Sequence, residues 1–585
     1  MSASNWDRTI DLLVVGAGAA GLAASWMASH RKLDVLLVEK TQQIGGTAAT
    51  SAGSLWIPGN AQGRRAGFED DADSAQLYLQ TLQGESAGSE AVKAYLKDGP
   101  SIIDYLEQHS DVQFVAAGLH PDYNDMPGAS TKGRVIVPKP FDGRLLGEDF
   151  KRVRPPIAEF LLFGGMMVGK PDLPALIGRY RSLANFVYAG KLMSRFIVDR
   201  LRYPRGTRLM MGNALVARLF YSLKKQGVTT LFGSSVAELV QGPDGVEGAI
   251  VKTADGVLRI RARRGVVLAT GGMGHNPQLR AEFLPSPVAG RSLAAEGVTG
   301  DGISMARRLG ALVDPAAHRE GAFWTPVSVT PRPDGTSGLF PHLLLDRAKP
   351  GVMAVNAAGR RFVNEGCSYH DFVSAMYASN KVASTLPAWL VCASSTVRKY
   401  GLGHVYPGTS DLSAHERKGY VITAPTLEAL ARKIGVDPQG LAESARRMTD
   451  YARTGVDLEF GKGSTQLSRA NGDPDHKPNP CLAPIDQGPF CAMAVWPAEI
   501  AASTGLETDE HARVLDTGGA PVTGLYACGN DMASIFKGTY PGPGTTLGPA
   551  LVFAWRAVEH AMGMQGRPDG CIASRPVQET AEEKS

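Results

Sequence analysis

The chain has 585 residues, 20% of them charged, and a formal net charge of +4. That length implies two domains by default, the ordinary charged and apolar content excludes a disordered polypeptide, and near-neutrality gives no basis for nucleic acid as a partner. Six cysteines, at 367, 392, 481, 491, 528 and 571, fall without CxxC or Cys/His spacing, which argues against a metal centre, an iron–sulfur cluster or a disulfide framework.

The N-terminus is polar up to the first strand, so no signal peptide is read. No segment reaches the roughly 18 uninterrupted apolar residues of a membrane span, and a cytoplasmic location is expected. Ile10 to Val15 reads as a buried strand that runs into Gly16-Ala17-Gly18-Ala19-Ala20-Gly21 and then a helical pattern from Leu22 to Ser29. A second strand, Asp34 to Val38, ends in Glu39 and Lys40. This strand–glycine turn–helix–strand–acid order is a dinucleotide fingerprint. Gly16 makes the turn, Gly18 admits a pyrophosphate, Gly21 lets helix and strand approach, and Glu39 takes the adenosine ribose hydroxyls.

The run from Gly45 to Asn60 holds Gly45, Gly46, Thr47, Ala52 and Gly53, small residues that wrap pyrophosphate and ribityl groups without steric cost. Leu231 to Val240, with Val236 inside it, and Gly248 to Lys252 read as strands flanking a Pro-Asp-Gly turn. Arg264 to Leu268 is a buried strand ending in Thr270-Gly271-Gly272, and Gly524 to Cys528 is another, stopping at Gly529-Asn530-Asp531. These glycine turns belong at the carboxyl ends of parallel strands, where open α/β sheets bind ligands. The cofactor domain is therefore α/β, Rossmann-like and discontinuous, over 1–275 and 490–585, with a second domain inserted at 276–489.

A further insertion spans about 150–205. Phe160 to Lys170 is apolar and glycine-rich, and Leu173 to Arg205 is amphipathic and basic, with Arg179, Arg181, Lys191, Arg195, Arg200 and Arg202. It reads first as a helical subdomain with a solvated basic face, and alternatively as a greasy lid or a patch that touches a membrane surface. The last fifteen or so residues are polar and expected to fray.

Lys537 to Pro549, KGTYPGPGTTLGP, carries the chemistry. Tyr540 supplies a phenol, Gly542 and Gly544 a backbone open to close approach, and Thr546 and Leu547 the start of a helix. A tyrosine hydroxyl beside a glycine N–H is a donor pair for a substrate carbonyl. A helix start aimed at a flavin offers unpaired N–H groups and a partial positive charge to the ring. The stretch points to polarising a ketone next to a flavin.

The GxGxxG with Glu39, the GGTAATSAGSLWIPGN run, the VVLATGG strand and YPGPGTTLGP together resemble the 3-ketosteroid Δ1-dehydrogenases, within the wider fumarate reductase and succinate dehydrogenase flavoprotein group. The resemblance implies noncovalent FAD, since residues 45–53 hold no histidine for covalent attachment, and an α+β second domain of the fumarate reductase type. It implies removal of an α proton and a β hydride beside the keto group of an apolar ketosteroid, with the hydride going to the flavin. It assigns the keto oxygen to Tyr540 and the Gly544 N–H, and the base to Tyr369, which follows Val355 to Glu365, a segment similar to the family's VN-x-x-G-x-RF-x-NE. The tyrosine supporting the base maps onto Tyr123; where the family has Tyr-x-x-Tyr, this chain has His120. With a single dinucleotide fingerprint, the electron acceptor implied is a quinone or a redox protein.

Two enzymatic rivals stand beside this reading. One is the same desaturation of a smaller cyclic ketone. The other is a fumarate reductase-like reduction of an unsaturated carboxylate, in which Arg347 lies where those enzymes keep a catalytic arginine. A flavoprotein serving only electron transfer or assembly is the non-enzyme alternative.

Overall fold

Parallel strands covered on both faces must be apolar along their length. In Arg8–Val15 the half from Leu12 to Val15 meets that condition, and Ile10 is buried as well. In the computed structural model, which describes residues 6–314 and 321–563, this strand lies mid-sheet, parallel to Val35–Glu39 on one side and to the end of Gly256–Leu268 on the other. Thr229–Phe232 and Pro521–Ala527 extend the parallel run at either side. The helices Ala19–His30, Met211–Lys225 and Leu547–Gly563 cover it. The polar tail and Cys571 lie outside the described residues.

The run read as one strand from Leu231 is two. Thr229–Phe232 joins the parallel sheet, the chain turns at Gly233 (φ +61°), and Ser235–Gly242 begins an antiparallel meander with Gly245–Thr253 and the first half of Gly256–Leu268. The breaker is a Gly-Ser pair between two apolar runs, which apolarity alone conceals.

A second, antiparallel sheet runs in the order Ser337–Pro341, Ala322–Pro331, Phe490–Ala502, Ala388–Ala393, Val352–Val355. Phe490–Ala502 is its central strand, so the chain returns to the cofactor sheet near 503 and not at 490. A long buried strand reads the same in either sheet, and only pairing assigns it. On the other side, residues 311 and 313 still bridge to 516 and 506, so the cofactor side extends past 275.

The insertion contains a hairpin, Leu161–Leu162 with Met166–Met167, and the helices Leu173–Ile177 and Leu183–Arg200. The buried Asp172 carboxylate holds it to the body by accepting from Arg208 at 2.9 and 3.1 Å, and Asp199 accepts the Thr207 N–H at 2.7 Å. Among the described residues no helix is long and apolar enough to cross a membrane.

Candidate active site

The glycine fingerprint divides between packing and space. A Cβ on Gly16 (φ +101°) would lie 2.4 Å from the Ala269 carbonyl oxygen, and one on Gly21 would lie 1.8 Å from that of Gly16. A Cβ on Gly18 would meet nothing within 4 Å. Two glycines thus weld helix to sheet, and the third leaves room at the helix N-terminus, which is what a pyrophosphate requires. Gly18→Ala is expected to leave the thermal unfolding of the apoprotein unchanged while lowering FAD affinity; Gly21→Ala should not fold. Unfolding temperature together with retained flavin absorbance separates the two effects.

Glu39 supports the same turn. One carboxylate oxygen accepts the Ala17 N–H at 2.8 Å and the other the Thr41 N–H at 2.8 Å, which fixes the carboxylate at the end of the second strand. The Lys40 ammonium pairs with Asp301 at 2.7 Å and Thr299 at 2.5 Å. It ties the strand end to the helix Asp301–Arg308.

Gly45 donates its N–H to the Ala17 carbonyl at 2.7 Å, which lays the 45–53 run against the fingerprint loop. Gly46 and Thr47 open the 3-10 turn Gly46–Thr50, and Ala52 and Gly53 follow it. Ala19 and Ala20 begin the first helix, and Val236 lies on Ser235–Gly242. Asp531 is buried and accepts from the Thr270 N–H at 2.5 Å, the Thr270 hydroxyl at 2.9 Å and the Gly272 N–H at 2.9 Å. Its carboxylate therefore stitches the loop 270–272 to the loop 529–531, with Gly271 and Asn530 carried between them.

The last helix starts at Leu547, and its first bonds run from Gly548 and Ala550 to the carbonyls of Gly544 and Thr546. The N–H groups of Gly544, Thr546 and Leu547 have no protein acceptor among the described residues, so this helix start offers a cluster of donors. The residues of these separated segments fit FAD.

Three phenols from distant parts of the chain converge. The Tyr123 hydroxyl donates to Tyr369 at 2.9 Å, and that of Tyr369 donates to Tyr540 at 2.9 Å. This order leaves the Tyr540 proton without a protein acceptor among the described residues. The rings of Tyr123 and Tyr540 stack at 5.3 Å, and Phe323 meets Tyr540 edge-on at 4.9 Å. All three are buried, and burial pushes each phenol well above its ordinary pKa. Leu343, Leu344, Leu467, Ile500 and Ala501 complete an apolar surround.

Each tyrosine is held by its own local structure. Tyr369 is the first residue of the helix Tyr369–Asn380, capped by the Ser368 hydroxyl, which accepts the Asp371 N–H at 3.0 Å. An anion at that position is favoured by the helix dipole. The VN-x-x-G-x-RF-x-NE segment behind it is rigid because buried Arg361 pairs with Glu365 at 2.8 Å and Asp457 at 2.8 Å. Gly544 (φ +105°) presses so closely on the Leu55–Trp56 strand that a Cβ would lie 2.4 Å from the Trp56 nitrogen.

Sequence reasoning missed the clamp that sets the loops of Tyr123 and Tyr540 against each other. The Tyr123 N–H donates to the Pro541 carbonyl at 3.0 Å, and the Tyr78 hydroxyl donates to that carbonyl at 2.8 Å while accepting the Asn124 N–H at 3.3 Å. Asp122 accepts from the Trp56 indole at 2.7 Å and from buried Arg134 at 2.6 Å. Nothing in the local pattern marks Tyr78, since it sits mid-helix on an ordinary buried face. Tyr78→Phe is expected to cost about 1 kcal/mol in stability and to lower kcat more than it changes KM, as measured by chemical unfolding and steady-state rates.

Arg347 is likewise spent on structure. It donates to the carbonyls of His342 at 2.9 Å, Glu365 at 2.8 Å, Cys367 at 3.2 Å and Leu343. Four of the five guanidinium N–H groups are thereby committed to main-chain carbonyls.

These features place the chain among FAD-binding flavoproteins, and the model of that family, the FAD binding domain, matches residues 11–547. A flavocytochrome c3 fumarate reductase shares the fold, with a TM-score of 0.61 at 22% identity over 96% of this chain and 79% of that one. More specifically, the chain belongs to the 3-ketosteroid Δ1-dehydrogenase family. The 3-oxosteroid 1-dehydrogenase of Mycolicibacterium smegmatis is 33% identical over 568 residues, 94% of this chain and 96% of that protein. The crystal structure of 3-ketosteroid delta1-dehydrogenase from Sterolibacterium denitrificans, in complex with 1,4-androstadiene-3,17-dione, superposes with a TM-score of 0.87 at 35% identity, covering 95% of this chain and 100% of that one. A 4-oxocyclohex-2-ene-1-carboxylate 5-dehydrogenase of Sinomonas cyclohexanicum is 37% identical over 581 residues, 98% of both chains. Family membership therefore makes the protein an FAD-dependent oxidoreductase and leaves two sizes of ring ketone to weigh.

Proposed function

We propose that the protein desaturates a 3-ketosteroid at C1–C2, removing a proton from the carbon next to the keto group and a hydride from the carbon beyond. The observation that carries this reading is the row of three buried hydroxyls ending at Tyr540, four residues before Gly544, whose N–H has no protein acceptor among the described residues. The α proton of a ketone is far too weak an acid for a protein base unless the oxygen accepts charge as the proton leaves. Tyr540 and Gly544 would each donate a hydrogen bond to that oxygen. Tyr369, as the phenolate, would take the proton; it lies at a helix N-terminus, which favours its charged form. FAD, when bound, supplies the acceptor for the hydride. Its contacts would come from Gly16 to Gly21, Glu39, residues 45–53, Val236, 270–272, 529–531 and the helix start at Thr546 and Leu547. A quinone or a redox protein is the final electron acceptor this reading calls for.

The surround of the tyrosines supports a steroid over a one-ring oxo acid. Apart from His370, whose ring lies 5.8 Å from that of Tyr540 and whose Nδ1 accepts the Trp324 N–H at 3.3 Å, the side chains packed there are apolar or phenolic, and Arg347, whose charge reaches Tyr123 and Tyr369, has four of its donors on main-chain carbonyls. A carboxylate substrate needs a cation or several free donors when desolvated. The commitment of Arg347 also speaks against the fumarate reductase-like chemistry. A dye-coupled assay with cyclic ketones of one to four rings tests the substrate class: kcat/KM should be highest with a 3-ketosteroid, and a maximum with 4-oxocyclohexanecarboxylate would reject it.

A further inference from the structure

Outside the tyrosine row, four buried polar side chains form one continuous hydrogen-bonded line. The His342 Nδ1 donates to Asp346 at 2.6 Å, its Nε2 pairs with the Ser328 hydroxyl at 2.8 Å, and that hydroxyl pairs with the Tyr420 hydroxyl at 2.8 Å. Main-chain donors close both ends. Asp346 also accepts the N–H groups of Gly403 at 3.1 Å and Arg347 at 2.9 Å, and the Tyr420 oxygen accepts that of His404 at 2.8 Å. The order Ser–His–Asp is that of a hydrolase triad. Here the serine is enclosed: its oxygen is spent on two partners, and Gly403 (φ +56°) packs so tightly over the line that a Cβ there would lie 2.4 Å from the Tyr420 oxygen. A hydroxyl so covered cannot reach an acyl group, so the cost of burying four polar side chains calls for another use.

The line joins the pieces of chain that wall the tyrosines. Ser328 lies on Ala322–Pro331, the strand that also carries Phe323 against Tyr540. His342 and Asp346 bracket Leu343 and Leu344, which pack on the tyrosine cluster. Arg347, next to Asp346, donates to the carbonyls of Glu365 at 2.8 Å and Cys367 at 3.2 Å, just ahead of the helix that begins at Tyr369. At the far end Tyr420 leads into the short strand Ile422–Ala424. Burial by itself would raise the Asp346 carboxyl, but His342, the Arg347 charge and the Gly403 N–H outweigh it and hold its pKa at about 2. The carboxylate is therefore ionised at neutral pH, and a fixed anion on Nδ1 orients the imidazole toward Ser328.

We propose that the line Asp346–His342–Ser328–Tyr420 is a positioning device for the desaturation, which sets the segment 342–347 against the strand of Phe323 and so fixes how Leu343 and Leu344 seat the substrate ring beside the base. It rests on the reading of the tyrosine row as the site of the reaction. The four residues act through Leu343, Leu344 and Arg347 and not on the reacting atoms. A shift of about 1 Å in a bound ring costs up to about 10²-fold in rate. The apolar area that binds the ring is nearly unchanged by such a shift, so kcat falls while KM stays close to its starting value.

The test is single-turnover reduction of the flavin in the FAD-loaded full chain, with steady-state KM measured alongside. The substrate is whichever ring ketone the wild type oxidises fastest, so the steroid assignment can fail without deciding this question. Tyr420→Phe removes one hydroxyl and keeps the ring. It is expected to retain FAD and to slow reduction about tenfold per bound flavin, with KM changed by less than about twofold. Ser328→Ala should slow reduction by a similar factor. The double variant should be no slower than the slower single one, because either change breaks the same line. Thr330→Val removes a different buried hydroxyl of the same strand, one bonded to Glu159 at 3.1 Å. That variant should unfold at a lower temperature and reduce its flavin at the wild-type rate. A Tyr420→Phe enzyme that reduces its flavin as fast as the wild type would overturn the proposal. Equal slowing in Thr330→Val would overturn it too, since the loss would then follow stability, and so would losses that multiply in the double variant.

Discussion

Tyr540→Phe is expected to fold, to bind FAD and to lose about 10²–10³-fold in kcat, the usual effect of removing one donor from a developing oxyanion. The substitution removes one oxygen and leaves the ring stacked on Tyr123 and against Phe323, so packing is preserved. It also frees the Tyr369 hydroxyl of its acceptor. Ground-state binding of an apolar ketone rests mostly on the surrounding apolar side chains, so KM should change far less than kcat. Single-turnover reduction of the flavin by substrate is the measurement that isolates the chemical step. A variant with wild-type reduction rates would remove Tyr540 from the carbonyl.

Tyr369→Phe should cost still more, about 10²–10⁴-fold for loss of the base, and it should change the shape of the pH profile. Burial holds the Tyr369 phenol well above its ordinary value, and the reactive form is the phenolate. A raised pKa means that the ionised fraction is small at neutral pH and grows as pH rises. The wild-type kcat/KM should therefore climb about tenfold per pH unit from about pH 6 to about pH 9 without a plateau. In Tyr369→Phe the residual rate should lose that slope. A wild-type profile that falls with rising pH over this range would assign the base to another group.

The cofactor half of the protein was legible because each of its signals is local. A glycine turn between a buried strand and a helix, followed by an acid at the end of the next strand, states its own geometry: Gly16 and Gly21 stand at close backbone approaches, Gly18 faces open space, and Glu39 bonds back to the turn. The tyrosine row was legible only through family resemblance. Residues 123, 369 and 540 come from a loop, a helix start and a loop in separate segments, and no periodicity brings them together. Their 2.9 Å contacts are a property of the tertiary fold. What stayed hidden were long-range devices. Tyr78 and Arg134 hold two loops in register, Lys40 turns to Asp301, and Phe490–Ala502 crosses to the second sheet. Such roles depend on which buried partner a residue meets, and a buried arginine in sequence looks like any other arginine. Arg347 is the clearest example: its position suggested an acid catalyst, and its partners show a brace for the chain from His342 to Cys367.

The account centres on a ketone held by Tyr540 and Gly544 while two hydrogens leave adjacent carbons of a ring. The most direct test is anaerobic mixing of the yellow enzyme with one equivalent of a saturated-ring-A 3-ketosteroid, following the visible flavin band and the steroid product together. Full bleaching matched by one equivalent of the 1-ene is the predicted result. A flavin that stays oxidised with the ketosteroid, or bleaches without a new double bond beside the keto group, would contradict it.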